Sequence, residues 1–207
     1  MSKAGKYNHM KHDEVTPGSA TKGNVKTKNI VLIGMPASGK STVGVILAKI
    51  LGMNFIDTDI VLQQKAGARL PDIIKEQGVE GFLQREEQAV LGLCTENSVI
   101  ATGGSVVYSD AAMKHLSGGA TVVYLKVPFP KLRRRLHDLR GRGVVLRDGE
   151  SPEEMFAERS VLYERYSDIT IDEPGSVEDT VRAVIDALND FRGVCHEIRF
   201  ALQRNGL

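Results

Sequence analysis

Gly34-Met-Pro-Ala-Ser-Gly39-Lys40-Ser41 follows the pattern G-x-x-x-x-G-K-[ST] without deviation. Residue types at that spacing suit one task, the holding of a polyphosphate. Glycines let the backbone curl until its N–H groups point at anionic oxygens, and a helix N-terminus behind the loop adds positive potential. Lys40 would place its ammonium on the β- and γ-phosphate oxygens, where charge develops during transfer, and Ser41 would offer a hydroxyl to Mg²⁺. Gly34, Ala37, Ser38, Gly39, Lys40, Ser41 and Thr42 form the candidate nucleotide cradle, with ATP and Mg²⁺ as the implied cofactors. A chance glycine-rich turn would lack the flanks found here, an apolar run before the loop and an amphipathic stretch after it.

Asp57 and Asp59 come next. Alternate residues of an extended segment point the same way, so both carboxylates are expected to face one site. One would hold Mg²⁺ through water and the other would accept a proton from an acceptor hydroxyl. The plainer alternative is that one of them caps the following helix. Further on, Arg133, Arg134, Arg135, Arg140, Arg142 and Arg147 crowd a stretch with Gly141 and Gly143. Arginine runs are usually solvated helix faces. With these glycines the stretch reads as a mobile lid over about 139–152. An arginine on a closing lid stabilises transferring charge while the lid excludes water, and Arg142 is the candidate. Arg159 is the candidate for a bidentate pair with a carboxylate on the acceptor. The alternative is a helix-surface ion pair with a neighbouring Glu.

These residues need elements to position them. Asn29–Ile33 is a short apolar run that reads as a buried parallel strand. Lys40 to Leu51 keeps helical spacing and ends at Gly52, a left-handed cap. Met53–Ile56 is a second strand, and two or three helices follow between Ile60 and Glu96, one opened by Pro71. Ser98–Ala101, Thr121–Leu125 and Ile169–Ile171 are three more strands. Helices are expected from Asp110 to Leu116, from Pro130, after a Ser151/Glu154 capping box, and along Val177 to Leu188. Alternating strands and helices predict an α/β fold with a parallel sheet covered on both faces. Ligands of such sheets bind at the C-terminal strand edge, where both aspartates fall.

The 207 residues suit one domain, expected over 28–191, with a disordered polar tail at 1–27 and a C-terminal extension at 192–207. Net charge is +1, Trp is absent and aromatics are only 5%. That composition argues against nucleic acid as a partner. No apolar run reaches the roughly 18–20 residues of a membrane span. Cys94 and Cys195 stand far apart, outside any metal-ligand pattern, and read as reduced thiols. A cytoplasmic monomer acting on a small molecule is the expectation.

In this order the pieces resemble shikimate kinase, within the nucleoside-monophosphate-kinase-like P-loop group. The similarity covers about Asn29 to Leu188. It rests on Gly34–Thr42, Asp57-Thr-Asp59, Phe82 with Glu86-Glu87, Gly103-Gly104, Val122–Leu125, Arg142 and Glu158-Arg159-Ser-Val-Leu-Tyr163. The resemblance implies a three-layer fold with a five-stranded parallel sheet and a lid. It also implies transfer of the ATP γ-phosphate to the 3-hydroxyl of shikimate. Asp59 would contact the substrate hydroxyls, and Gly103, Gly104 and Arg159 would line the substrate site. Arg135 would lie at adenine, and Asp57 would be the acid linked to Mg²⁺. Two positions depart from the family pattern. Leu83 stands where an arginine usually grips the substrate carboxylate, and Ser105 stands where a third glycine is usual. Arg85 is about 200° around a helix from Leu83 and does not substitute for it. The lid reads Arg142-Gly-Val-Val145 where Arg-Pro-Leu-Leu is common. A related kinase with another hydroxylated acceptor and a nucleotide-binding protein without turnover remain the alternatives.

Overall fold

The computed structural model describes residues 29–135, 143–147, 149–172 and 175–204, with side chains described as far as 191. The polar tail at 1–27 and, within the expected lid, residues 139–142 (Arg142 among them) and 148 lie outside the described residues.

Five strands, β1 (Asn29–Ile33), β2 (Asn54–Asp57), β3 (Ser98–Ala101), β4 (Ala120–Lys126) and β5 (Ile169–Asp172), form one sheet in the order β2-β3-β1-β4-β5. All four pairings are parallel. Strand alternation explains the three layers. Ile30 and Leu32 pack with Val43 and Leu47 of α1 (Lys40–Leu51) and with Val181, Val184 and Leu188 of α7 (Val177–Arg204). Val31 and Ile33 point the other way. They pack with Met113 of α4 (Asp110–Ser117), Leu132 of α5 (Phe129–Arg135), and Met155 and Tyr163 of α6 (Pro152–Tyr166). β1 is buried on both faces, which is why its sequence is a continuous apolar run.

A third apolar cluster lies to one side. It joins Leu62 of α2 (Thr58–Ala66) to Leu70, Ile73 and Phe82 of α3 (Leu70–Leu91) and to Val145. α3 is kinked at Gly78, with φ 70° and ψ −178°. α7 continues past the expected boundary at 191 as far as Arg204. No described helix is long and apolar enough to cross a membrane.

Two end signals are realised. Gly52 caps α1 in the left-handed region, with φ 65°. Ser151 and Glu154 form the reciprocal capping box of α6, with the Ser151 side chain accepting from the Glu154 N–H at 3.1 Å. α6 carries Arg159, so this cap steadies a candidate site residue as well as a helix. Ser151→Ala should cost about 1 kcal/mol. Thermal denaturation should register a Tm lower by about 2–4 °C, and an unchanged Tm would show that the cap contributes nothing.

Candidate active site

β1 delivers the chain directly into the phosphate loop. Gly34 has φ 144°, and a Cβ there would sit 2.8 Å from the Leu125 carbonyl oxygen, so the turn demands glycine. Ala37 and Gly39 also have positive φ, 62° and 104°. Lys40 begins α1 and is almost fully buried. Its Nζ folds back and donates to the Gly34 and Met35 carbonyls, both at 2.8 Å. Desolvation pulls the ammonium down to about 8, against the opposing pull of Asp59 and Asp57. Among the described residues the buried Ser38 hydroxyl has no hydrogen-bond partner. Arg135 Nη1 donates to the Ala37 carbonyl at 3.2 Å, which ties the end of α5 to the loop.

Asp57 and Asp59 do not share one extended segment. β2 ends at Asp57 and α2 begins at Thr58, so Asp59 stands in the first helical turn. Asp57 is itself the cap: its Oδ1 accepts the Asp59 N–H at 3.0 Å. Its Oδ2 accepts the Ser41 hydroxyl at 2.6 Å. Capping and site membership, posed above as alternatives, coincide in Asp57. Burial, and then the Asp57 charge, raise the Asp59 carboxyl to about 6, with Lys40 pulling the other way.

The loop after β3 brings in the far side. A Cβ on Gly103 would collide with Glu86 Oε1 and lie 2.7 Å from Asp59 Oδ1, so both carboxyl groups pack against bare backbone. Gly104 lies against Pro36 of the phosphate loop, where a Cβ would come within 2.8 Å of Pro36 Cδ. The Gly104 carbonyl accepts the Tyr163 hydroxyl at 2.6 Å. Glu86 is 3% exposed, and its Oε1 has no hydrogen-bond partner among the described residues. Burial raises Glu86 to about 7; the Ser105 side chain opposes this, Asp59 adds to it, and Arg159 and Lys40 oppose it.

Arg159 is 1% exposed, so the helix-surface ion pair is excluded. Its Nη2 donates to the Val145 carbonyl at 2.6 Å and its Nε to the Tyr108 hydroxyl at 3.2 Å. Leu83 is half-buried and packs on the third apolar cluster. With Ser105 and Tyr108 it also lines a cavity of about 200 Å³ beyond Glu86. Arg85 is engaged elsewhere, donating to Gln77.

One cleft of about 630 Å³ collects these groups. Lys40, Ser41, Thr42 and Arg135 line one end, and Asp59, Glu86, Gly104 and Arg159 the other. Arg142 lies outside the described residues, although its neighbours Gly143, Val144 and Val145 line the cleft. Glu86 and Tyr108 were not singled out as site residues from the sequence. Glu86 stood there only as part of a family pattern, and nothing local marks a glutamate on a helix as buried. Tyr108 falls in a single 3-10 turn, Val106–Tyr108, too short to show periodicity.

The family model described as shikimate kinase matches residues 36–189. A shikimate kinase of Francisella tularensis subsp. novicida is 34% identical over 171 residues, covering 81% of this chain and 96% of its own. The solved shikimate kinase of Aquifex aeolicus superposes with a TM-score of 0.69 at 30% identity, over 78% of this chain and 96% of that one. The shikimate kinase of Acinetobacter baumannii, solved in complex with shikimate, gives 0.72 at 28% identity, over 83% and 98%.

The buried Glu86 makes stability depend on pH. A carboxyl whose folded pKa is raised holds its proton more tightly in the folded state. Its contribution is fully present below the ordinary 4.5 and is lost as pH rises through about 7. Asp59 adds a loss of the same sign between 3.8 and about 6. Glu86→Gln cannot ionise, so its Tm relative to wild type should climb as the pH is raised from about 5 to about 8. A difference that stays constant across that range would show that Glu86 does not titrate in the folded protein.

Proposed function

The chain belongs to the shikimate kinase family, a family of ATP-dependent small-molecule kinases, and we propose that it transfers the γ-phosphoryl group of ATP to the 3-hydroxyl of shikimate. The single observation that carries this reading is the cleft itself. A buried lysine in a glycine-curled loop faces, across Asp59, a buried arginine and a carboxyl group.

The donors present fit the groups this activity needs. The loop bends through three residues of positive φ, and its lysine rests on the loop's own carbonyls. The Ser41 hydroxyl and the Asp57 carboxylate are the oxygens that would hold Mg²⁺. Among the described residues no three His, Cys, Asp or Glu side chains gather at a metal site. That suits a cation whose other ligands are phosphate and water. When bound, Mg·ATP supplies the phosphoryl group and a cation that screens its charge. Lys40 neutralises phosphate oxygens from a site where desolvation strengthens its field. Asp59 orients the acceptor hydroxyl and takes its proton, because its raised pKa brings it closer to the proton it must accept. Gly103 and Gly104 let the acceptor approach the backbone, and Arg159 pairs with its carboxylate. Arg135 bounds the nucleotide end, and Arg142 is the lid arginine of this reading. We place the enzyme as a cytoplasmic monomer.

Two experiments test this. ADP release by the wild-type protein should depend on shikimate and should fall as pH drops through about 6, where Asp59 gains its proton. Asp59→Asn should lower kcat by about a hundredfold or more and leave Mg·ATP binding nearly unchanged. Loss of ATP affinity with acceptor affinity intact would contradict the role given to Asp59. The second experiment addresses Leu83. An apolar side chain cannot pair with an anion, so the shikimate KM should be high. Leu83→Arg should lower it about tenfold with little change in kcat, since the added contact stabilises ground and transition states alike. Absence of turnover with shikimate in both proteins would end the assignment of this acceptor.

A further inference from the structure

Tyr108 lies outside every motif that points to the activity, yet three side chains converge on it through four contacts. Its hydroxyl accepts from Arg159 Nε at 3.2 Å and donates to Glu158 Oε2 at 3.2 Å. Its ring lies 5.1 Å from the guanidinium carbon of Arg159 and 4.9 Å from that of Arg147. Arg147 Nη1 closes the circuit by reaching both oxygens of Glu158, at 3.0 and 3.1 Å.

The polarity of this arrangement is restrictive. A guanidinium only donates and a carboxylate only accepts. A phenol hydroxyl between them both accepts and donates, which few side chains of this length do. Burial is the first cause that raises the phenol pKa, so the donating proton stays in place. Tyr108 is also well anchored. Val106 and Val107, just before it, are buried, and its turn follows directly from Gly103-Gly104-Ser105. The strand-end loop that faces the acceptor and the arginine that faces it are thereby joined through one side chain.

We infer that Tyr108 is a positioning residue for acceptor recognition: with Val145 it fixes the plane of the Arg159 guanidinium so that the remaining N–H groups are presented to the acceptor anion. Two of the five guanidinium N–H groups are committed, one to Tyr108 and one to Val145, which leaves three for an anion. An arginine held in advance loses less freedom on binding. With leucine at 83 supplying no second cation, this chain depends on that preorganisation more than a site with two arginines would. The inference rests on the proposed role of Arg159 at the acceptor.

A thermodynamic cycle tests it. Wild type, Tyr108→Phe, Arg159→Lys and the double variant are compared in steady-state kinetics with ATP and shikimate. Tyr108→Phe keeps the ring and removes the bridge. It should raise the shikimate KM about tenfold and leave kcat and the ATP KM near wild type. In the Arg159→Lys background the same change should add less than about twofold, because its target is gone. An unchanged KM, or an equal penalty in both backgrounds, overturns the inference. A second readout needs no acceptor. The Arg159 Nε–H resonance, assigned by its disappearance in Arg159→Lys, should exchange with solvent at least about tenfold faster in Tyr108→Phe. Equal exchange in both proteins also overturns the inference. Wild type inactive on shikimate, with the Nε–H still deprotected in Tyr108→Phe, would remove the proposed acceptor and leave the positioning role standing.

Discussion

The structure turns on keeping like and unlike charges together away from water. Lys40, Asp59, Glu86 and Arg159 all line one cleft, and three of the four are less than a tenth exposed. Desolvation is the first cause of each resolved shift: it lowers Lys40 and raises Asp59 and Glu86. All three shifts disfavour the charged form, so the unliganded site costs stability. The same low dielectric makes each charge act strongly on a bound anion. A site of this kind survives only on a rigid frame, and the frame here is a fully buried central strand with packed helices on both faces.

Strand order explains why these groups meet. β1 sits in the middle of the sheet, flanked by β3 and β4, so the chain reverses its direction of travel across the sheet beside β1. Loops leaving β1 and β3 are adjacent at that switch point, which leaves a crevice. Gly34 and Gly104 then serve one purpose from two loops. Gly34 admits the Leu125 carbonyl, and Gly104 admits Pro36. Gly104 joins the loop after β3 to the phosphate loop, while Gly34 seats the phosphate loop against the backbone of β4.

What could be read from the sequence follows from how local each signal is. The phosphate loop was fully legible because eight consecutive residues carry it and the flanking apolar patterns fix strand and helix. The capping box of α6 was legible for the same reason, as Ser151 and Glu154 stand three apart. Asp57 and Asp59 were found, but the geometry assigned to them was wrong, because the helix starts at Thr58, two residues earlier than an extended reading allows. Arg159 was named while its burial was not visible, since Glu154, Glu158 and Arg165 give its helix a charged character throughout. Glu86 and Tyr108 depend on contacts across 45 or more residues in the case of Tyr108 with Arg159, and on packing against the β3 loop in the case of Glu86. No local pattern encodes such contacts.

Leu83 shows how a single position reshapes the rest of the site. It stands one residue after Phe82, which packs into the third apolar cluster, and three before Glu86. On a helix, residues three apart are neighbours, so a cation at 83 would be placed to answer the Glu86 carboxyl. Leucine supplies no donor there; among the described residues Glu86 Oε1 is buried without a hydrogen-bond partner, and burial raises the carboxyl to about 7 although the Ser105 side chain bonds to it. The Arg159 field opposes that rise but does not cancel it. Burial thus holds the glutamate toward its neutral form, in which it offsets less of the Arg159 charge than an ionised carboxylate would. Leu83 lines the smaller cavity and not the main cleft, and Glu86 lines both, so the apolar position bears on Arg159 through the glutamate.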